Sequence, residues 1–272
     1  MAVSRTKPAS QGLVHARVLD RHRVSPGFVR VVLGGDDLAA IEPMGHDHWV
    51  RFFLPAGEGS LERLPGSMGL LSYARYRALP AARRPVLRNY TIADLRHGDG
   101  GSQLDIDFAV HEAPDGQQPG PAIGWALGCC EGDPVALIDE GITFAPPADV
   151  ASFLLVGDET ALPGIAGILH SLPADARGTA LLEVGSAEDV RELPAPAGVE
   201  LRWLPRTDPH AVPGALALTA VQQLSTPDAR CYAWVAGESA LATGARRHLV
   251  QAGLAKDRIT FVGYWRHGRA QY

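Results

Sequence analysis

The hydrophobic pattern of the chain changes near its middle, and this change limits the folds that the chain can adopt. In the first half, apolar and polar residues alternate, most clearly in the run LDIDFAVH at 104–111. Its four large apolar side chains would share one face of a strand. In the second half, short apolar runs alternate with segments whose apolar residues recur every three or four positions, as in a helix. The two halves therefore predict two different architectures.

The first half predicts a small antiparallel barrel. Short segments with strand-like alternation are separated by clusters of Gly, Pro and Asp, and they lie at 13–19, 27–33, 49–54, 88–94, 104–111 and 133–138. Six such strands without strong helices are typical of a closed antiparallel sheet. Residues 56–84 are rich in Gly, Pro and Arg, so we expect them to form a long surface loop.

The second half predicts a doubly wound, five-stranded parallel sheet. The strands are expected at 153–156, 179–184, 199–204, 231–236 and 259–264. Helices are expected from Leu162 onward, at 214–224, at 238–252 and, more weakly, at 187–193. Strands that alternate with helices in this way form parallel sheets. Pro146-Pro147 would interrupt either kind of element, which predicts domains at 1–147 and 148–272.

Composition excludes several classes of function. The chain has 25 basic and 30 acidic residues, a net charge of −5, which argues against general nucleic-acid binding. No apolar run approaches the ~18 residues of a membrane-spanning helix. The polar N-terminus has no secretory signal, and three cysteines without C-x-x-C spacing cannot build a disulfide framework. We therefore expect a cytoplasmic protein without membrane insertion, whose oligomeric state the sequence leaves open.

Two turns follow predicted parallel strands at the edge where such sheets bind ligands. Gly157-Asp158-Glu159-Thr160 follows the first strand of the second half, and Gly237-Glu238-Ser239 follows the fourth. Each glycine permits a tight turn, and the N–H groups of the helix that follows can bind a phosphate. The alternative is that Thr160 and Ser239 simply cap these helices.

Arg88-Asn89-Tyr90-Thr91 opens a predicted barrel strand and combines three useful groups. The guanidinium of Arg88 can bind a phosphate through two donors. The ring of Tyr90 could lie against an aromatic cofactor, and Thr91 could hydrogen-bond to it. The alternative is a surface arginine beside a half-buried tyrosine.

Other polar residues favour no particular chemistry. Asp105 and Asp107 share a strand face and could form an acid/base pair, but a solvated face is the stronger expectation. Cys129 and Cys130 are expected in the core, and no metal site is predicted. Six arginines lie between positions 75 and 96, with Asp94 as the only acid among them: Arg75, Arg77, Arg83, Arg84, Arg88 and Arg96. This local positive charge indicates either a binding site for an anionic ligand or a solvated loop.

The sequence resembles the siderophore-interacting proteins, flavin-dependent ferric-siderophore reductases related to the ferredoxin-reductase superfamily. The resemblance runs from about Arg17 to Arg266. Its most specific part is LLVGDETALP at 154–163. The other similar segments are LDIDFAVH at 104–111, Arg88-x-Tyr90-Thr91, GPA at 120–122 with Trp125-Ala126, Ala236-Gly237-Glu238, Arg246-Arg247 and GYWR at 263–266.

The resemblance implies an FAD-binding barrel followed by an NAD(P)H-binding α/β domain, and it implies roles for particular residues. FAD would be held by Arg88, Tyr90, Thr91, Asp107, Phe108, His111, Gly120, Pro121, Ala122, Ile123 and Trp125. NAD(P)H would be bordered by Gly157, Asp158, Glu159, Thr160, Arg206, Gly237, Glu238, Ser239 and Trp265.

The reaction implied by the resemblance needs no catalytic acid, base or nucleophile from the protein. NAD(P)H would reduce the flavin by hydride transfer, and electrons would pass singly to a ferric siderophore. Such chelators hold iron through hard oxygen ligands and bind Fe(II) far less well, so reduction releases the metal. Arg51, Arg83 and Arg84 are candidates for attracting an anionic chelate.

Three departures from the family pattern leave two alternatives open. Ile123 replaces a usual serine, Asp139-Glu140-Gly141-Ile142 replaces Gly-Pro-x-Gly, and 112–119 resembles an insertion. The two acids would lie near the expected diphosphate. The alternatives are a flavoprotein reductase with a different acceptor and a non-catalytic binding protein that has lost its flavin.

Overall fold

The computed structural model describes residues 5–67, 69–110, 120–208, 210–225 and 227–268. These residues form a closed, six-stranded antiparallel barrel followed by a five-stranded parallel sheet with helices. Both architectures predicted from the sequence are confirmed. No helix within the described ranges is long and apolar enough to cross a membrane.

The barrel is closed in the order β1-β2-β5-β4-β3-β6. Its strands are β1 (Leu13–Ser25), β2 (Phe28–Gly34), β3 (Trp49–Leu54), β4 (Val86–Gly98), β5 (Gly101–Ala109) and β6 (Pro134–Gly141). Leu104, Ile106 and Phe108 of β5 point into the fully buried interior, as their alternation predicts. A short helix at Pro121–Gly128 packs Ala122 and Ala126 against that interior.

The parallel sheet has the order β11-β10-β7-β8-β9. Its strands are β7 (Ser152–Gly157), β8 (Arg177–Val184), β9 (Gly198–Pro205), β10 (Cys231–Glu238) and β11 (Ile259–Trp265). The helices of the chain are α1 (Leu70–Ala78), α2 (Pro121–Gly128), α3 (Leu162–Ser171), α4 (Ala215–Gln223) and α5 (Ser239–Gln251). The strand order reverses between β7 and β10, which is where doubly wound sheets bind ligands.

Three local predictions were wrong. Residues 56–84 are more than a loop, because they contain α1, which is anchored by the buried Tyr76 against Phe53. The hydroxyl of Tyr76 also donates to the Pro85 carbonyl at 2.7 Å. The weak helix at 187–193 is only a 3-10 turn at Ala187–Asp189, and α2 was not predicted.

Specific contacts fix the barrel against the parallel sheet. Asp189 accepts hydrogen bonds from the Ser25 hydroxyl (2.6 Å) and the Gly27 amide (2.8 Å) at the β1–β2 turn. On the other side of the interface, a Cβ on Gly167 of α3 would lie 2.1 Å from the His46 carbonyl oxygen. Glycine is therefore required for this close approach, and the space between the domains has a defined shape.

Candidate functional site

A cavity of ≈ 430 Å³ lies between the barrel and the parallel sheet. The barrel contributes β4 from Arg88 to Thr91, together with Trp49 and Asp107. The start of α2 closes one side, and the parallel sheet contributes Thr160 and the end of β11. The cavity therefore opens at the carboxyl end of the sheet, where the strand order predicts a ligand.

The Arg88-Asn89-Tyr90-Thr91 segment forms one wall of this cavity. Antiparallel pairing places Tyr90 opposite Val50 and Thr91 opposite Trp49. The Tyr90 ring packs on Phe108 with 4.4 Å between ring centroids. Burial raises the pKa of the Tyr90 phenol well above its ordinary value, although Arg88 opposes the increase. Tyr90 therefore stays neutral and offers an aromatic surface at the cavity.

The start of α2 provides the features of a phosphate site. Gly120 is the residue before the helix, and no side chain among the described residues caps it. A Cβ at Gly120 would have no atom of the described residues within 4 Å, so this backbone is open. Pro121 has no N–H, so the amides of Ala122 and Ile123 are the ones that the first helical turn leaves for a ligand, and both residues line the same cavity as Arg88. Together they fit a diphosphate.

Of the two apolar residues Ile123 and Trp125, only Ile123 lines the cavity. Ile123 lines the cavity and also packs against the barrel core, so it contributes apolar surface where the family usually has a hydroxyl. Trp125 instead packs its ring on Phe52 and Phe108, at centroid distances of 5.6 and 5.9 Å. Trp125 and Phe108 thus support the wall behind Tyr90, and neither is among the lining residues.

The parallel sheet supplies aromatic residues to the opposite wall. Tyr264 and Trp265 lie at the end of β11 and line the cavity. Tyr264 forms a side-chain hydrogen bond with Thr91, and burial raises its pKa far above the ordinary value. This bond joins the two domains across the cavity.

The two turns at the carboxyl ends of β7 and β10 are capped by carboxylates. Asp158 accepts hydrogen bonds from the amides of Thr160 (2.9 Å) and Glu238 (2.6 Å) and from Trp265 Nε1 (3.1 Å). The Glu238 carboxylate accepts the Ala240 amide at the start of α5. The alternative that Thr160 and Ser239 cap these helices is wrong, because Asp158 and Glu238 are the capping residues. Phosphate binding at these two helix starts is disfavoured by their negative charge.

Asp158 is the most perturbed carboxyl group of the site. It is buried, and this burial raises its pKa to about 6, with a further increase from the neighbouring Glu159 carboxylate. The hydrogen bonds that it accepts oppose the increase. Gly237 is required beside it, because a Cβ there would lie 2.5 Å from the Asp158 carboxylate.

Arg206 lies in a buried ion pair and does not line the cavity. Its guanidinium binds Glu159 at 2.7 Å and Glu183 at 3.0 Å, and its side chain is 7% exposed. Glu183 also accepts the amides of Gly214 (2.8 Å) and Ala217 (2.9 Å). A contact between Arg206 and a nucleotide phosphate would require these pairs to break, and that role stays a prediction.

The expectation for Asp105 and Asp107 was wrong. Both carboxylates are buried rather than solvated. Asp107 is bound by Arg30 at 2.7 and 3.0 Å, and Asp105 is bound by Arg96 at 2.7 Å. Arg191 reaches Asp107 from the other domain at 3.4 Å. Asp107 therefore lines the cavity as a neutralised group, and neither acid has the free carboxylate that acid/base catalysis needs.

The acids at the end of β6 have partners of their own. Asp139 accepts from His48 Nε2 at 2.8 Å, and both side chains are buried. Glu140 binds Arg51 at 2.7 Å and also pairs with Arg5. Arg51 and Arg5 therefore compensate the charge of Glu140, and neither acid is among the residues that line the cavity. The same pairing partly neutralises Arg51.

The arginine-rich segment, from Arg75 to Arg84, packs on the outer face of β3 at the end away from the cavity. Trp49, Arg51 and Phe53 alternate along this face, and the segment is anchored at Phe53. Trp49 lines the cavity, and Phe53 lies four residues further along the strand. At about 3.3 Å per residue, Phe53 is therefore about 13 Å from the cavity. Arg83 is exposed, whereas Arg84 is partly buried over the Tyr76 ring at 6.0 Å.

The remaining predictions from the sequence concern residues outside the cavity or outside the described ranges. His111 and residues 112–119 lie outside the described residues. Cys129 is buried as expected, but Cys130 is exposed. No metal-binding group of His, Cys, Asp or Glu occurs among the residues that the structure describes. Sequence reasoning missed Asp47, Trp49 and Tyr264, which reach the cavity through pairings that the linear sequence does not reveal.

Family comparisons agree with this geometry. Residues 17–143 match the siderophore-interacting FAD-binding domain, and residues 150–268 match the siderophore-interacting protein domain. The chain belongs to the siderophore-interacting protein family. It therefore carries the FAD-binding domain of that family, and the open helix start, Arg88 and the aromatic wall fit this cofactor.

Individual relatives cover nearly all of the chain. Ferric vibriobactin reductase ViuB of Vibrio cholerae is 31% identical over 264 residues, covering 94% of this chain and 91% of ViuB. The NADPH-dependent ferric-chelate reductase of Escherichia coli is 28% identical, covering 91% of both chains. A siderophore utilization protein from T. fusca has a similar structure, with a TM-score of 0.78, 32% identity and 98% of both chains covered.

Proposed function

We propose that this siderophore-interacting protein is an FAD-dependent reductase that takes hydride from NAD(P)H and reduces a ferric siderophore, releasing Fe(II). The observation that carries the proposal is the interdomain cavity, which has an open helix start, Arg88 and the Tyr90 ring on the barrel side and the aromatic residues Tyr264 and Trp265 on the parallel-sheet side. The names of the Vibrio cholerae and Escherichia coli relatives describe the same type of reaction.

The side chains of the cavity would bind and orient rather than transfer protons. Arg88 and the first-turn amides of α2 would hold the diphosphate of FAD. Tyr90 and Thr91 would border its ring system on the barrel side. Bound FAD supplies the chemistry, since it accepts a hydride and returns electrons one at a time. Reduction of Fe(III) transfers only electrons, so no catalytic acid or base is required.

The coenzyme would approach from the parallel sheet. Tyr264 and Trp265 line that side of the cavity, and Asp158 holds the Trp265 indole in place. The carboxylates of Asp158 and Glu238 occupy the two helix starts. An uncharged or cationic part of the coenzyme, such as its nicotinamide ring, is therefore better suited to this position than a phosphate.

The arginine-rich segment would increase the encounter rate with an anionic chelate. No acid occurs between positions 64 and 93, although the whole protein has a net charge of −5. Arg51 is already paired with Glu140, so Arg83 is the more available charge. Attraction of this kind raises association rates and weakens as salt screens it.

Flavin binding and acceptor choice test the proposal. The purified protein should show the visible spectrum of a flavin after incubation with FAD and dialysis. The FAD-loaded protein should then oxidise NADH or NADPH with a ferric siderophore as acceptor faster than with a quinone. A protein that retains no FAD would favour the non-catalytic alternative, and a preference for quinones would favour a reductase with a different acceptor.

A further inference from the structure

Trp49 occupies a position at the cavity that the sequence pattern does not assign to any role. It is the first residue of β3 and lines the cavity. Strand pairing places it opposite Thr91 on one side and opposite Gly141 on the other. Its indole therefore lies at the Tyr90–Thr91 wall, where the proposed function places the flavin ring.

The indole N–H of Trp49 is buried without an acceptor. Trp49 Nε1 is screened from solvent and has no hydrogen-bond partner within the described part of the chain. Two other indoles near the cavity are satisfied, since Trp234 Nε1 donates to Asp47 (3.2 Å) and Trp265 Nε1 donates to Asp158 (3.1 Å). Native proteins rarely leave such a donor unpaired, because its lost hydration is not replaced.

A network of charged side chains lies beside the Trp49 ring. The guanidinium of Arg5 lies over the indole at 5.8 Å from the ring centroid. Arg5 is itself paired with Glu140, which also binds Arg51. These groups cover one face of the ring, and a small rotation of the ring would turn its N–H toward a ligand in the cavity.

We propose that the Trp49 indole N–H donates a hydrogen bond to the isoalloxazine ring of bound FAD. The isoalloxazine carries carbonyl oxygens and ring nitrogens that accept hydrogen bonds, and Thr91 lies directly across the strand pair from Trp49. Binding of FAD would then satisfy a donor that has no acceptor within the described part of the chain. This assignment rests on the proposed role of FAD as the cofactor.

The test compares Trp49→Phe with wild type, starting from FAD-free protein. Phenylalanine keeps an aromatic ring and removes the N–H. Titration should show a dissociation constant for FAD about 3- to 10-fold higher in the variant, which corresponds to one net hydrogen bond. The visible flavin band should also shift. Trp203→Phe is the matched control, because Trp203 lines a different surface groove.

A measurement on the wild type covers the case in which the variant fails to fold. The chain has five tryptophans, so its indole N–H signals in a ¹⁵N–¹H NMR spectrum can be resolved and assigned by single Trp→Phe variants of the other four. Addition of FAD should move the Trp49 signal in the direction of a newly formed hydrogen bond.

Three results separate the possible failures. Wild type that binds no FAD would refute the proposed function itself. Equal FAD affinity and an unshifted flavin band in Trp49→Phe would overturn the role of Trp49 alone. An indole N–H signal of Trp49 that does not move when FAD is added to the wild type would also overturn it, since the N–H would not have gained an acceptor.

Discussion

Replacing Arg206 with glutamine should destabilise the parallel-sheet domain rather than remove a nucleotide contact. Arg206 is the shared partner of Glu159 and Glu183, and all three side chains are at most 7% exposed. Glu183 would keep its bonds to the amides of Gly214 and Ala217. Glu159 would lose two hydrogen bonds from Arg206. Removing one partner of a buried ion pair costs about 3–5 kcal/mol, because the remaining charge is left uncompensated.

Chemical denaturation of wild type, Arg206→Gln and Arg206→Gln/Glu159→Gln measures this cost. We expect the double variant to recover part of the loss, since it removes the stranded carboxylate as well. Arg202→Gln is the control on the same strand, because Arg202 forms an exposed pair with Glu200 and should leave the midpoint unchanged. An Arg206→Gln variant with wild-type stability and a raised KM for NAD(P)H would refute this reasoning and support a phosphate contact.

Three further variants test other parts of the account. Arg88→Ala should release FAD more readily on dialysis, by about 1.5–3 kcal/mol for a charge-assisted contact, and unchanged retention would exclude Arg88 from the phosphate site. The folded pKa of Asp158, about 6, lies above its unfolded value of about 3.9. Asp158 therefore stabilises the fold most at low pH, and wild type should lose on the order of 1 kcal/mol of stability relative to Asp158→Asn as the pH rises from about 5 to 7.5. A stability difference that stays constant with pH would contradict the shift. Arg83→Ala/Arg84→Ala should lower kcat/KM for an anionic ferric chelate in low salt and leave flavin reduction unchanged, and a parallel slowing of both steps would show that the arginines hold the barrel instead.

The fold could be predicted because its signals are local in the sequence. Alternation in β5 and the apolar run of β7 each follow from the burial of one or both strand faces. The helix α1 could not be predicted in this way, since Leu70 and Leu71 face solvent and only Tyr76 is buried. Its position depends on Phe53, a residue of a strand that precedes it.

The candidate site was only partly predictable for a similar reason. The Arg88–Thr91 segment was identified from its residue types and the start of α2 through the family resemblance, and the structure brings them to one cavity. The burial of Asp107 depends on Arg30 from a neighbouring strand and on Arg191 from the other domain. The alternation pattern shows that Asp107 leaves the barrel interior, but it does not show what covers that outer face.

Anaerobic mixing of the two substrates in turn tests the central claim most directly. Protein loaded with FAD is first mixed with one equivalent of NADPH or NADH, and the visible flavin absorbance is followed by stopped flow. A ferric siderophore is then added together with a chelator that detects Fe(II). The account predicts that the flavin absorbance falls with the coenzyme and recovers with the ferric siderophore, with one Fe(II) formed for each electron returned. Recovery without Fe(II), or a flavin that neither coenzyme reduces, would contradict it.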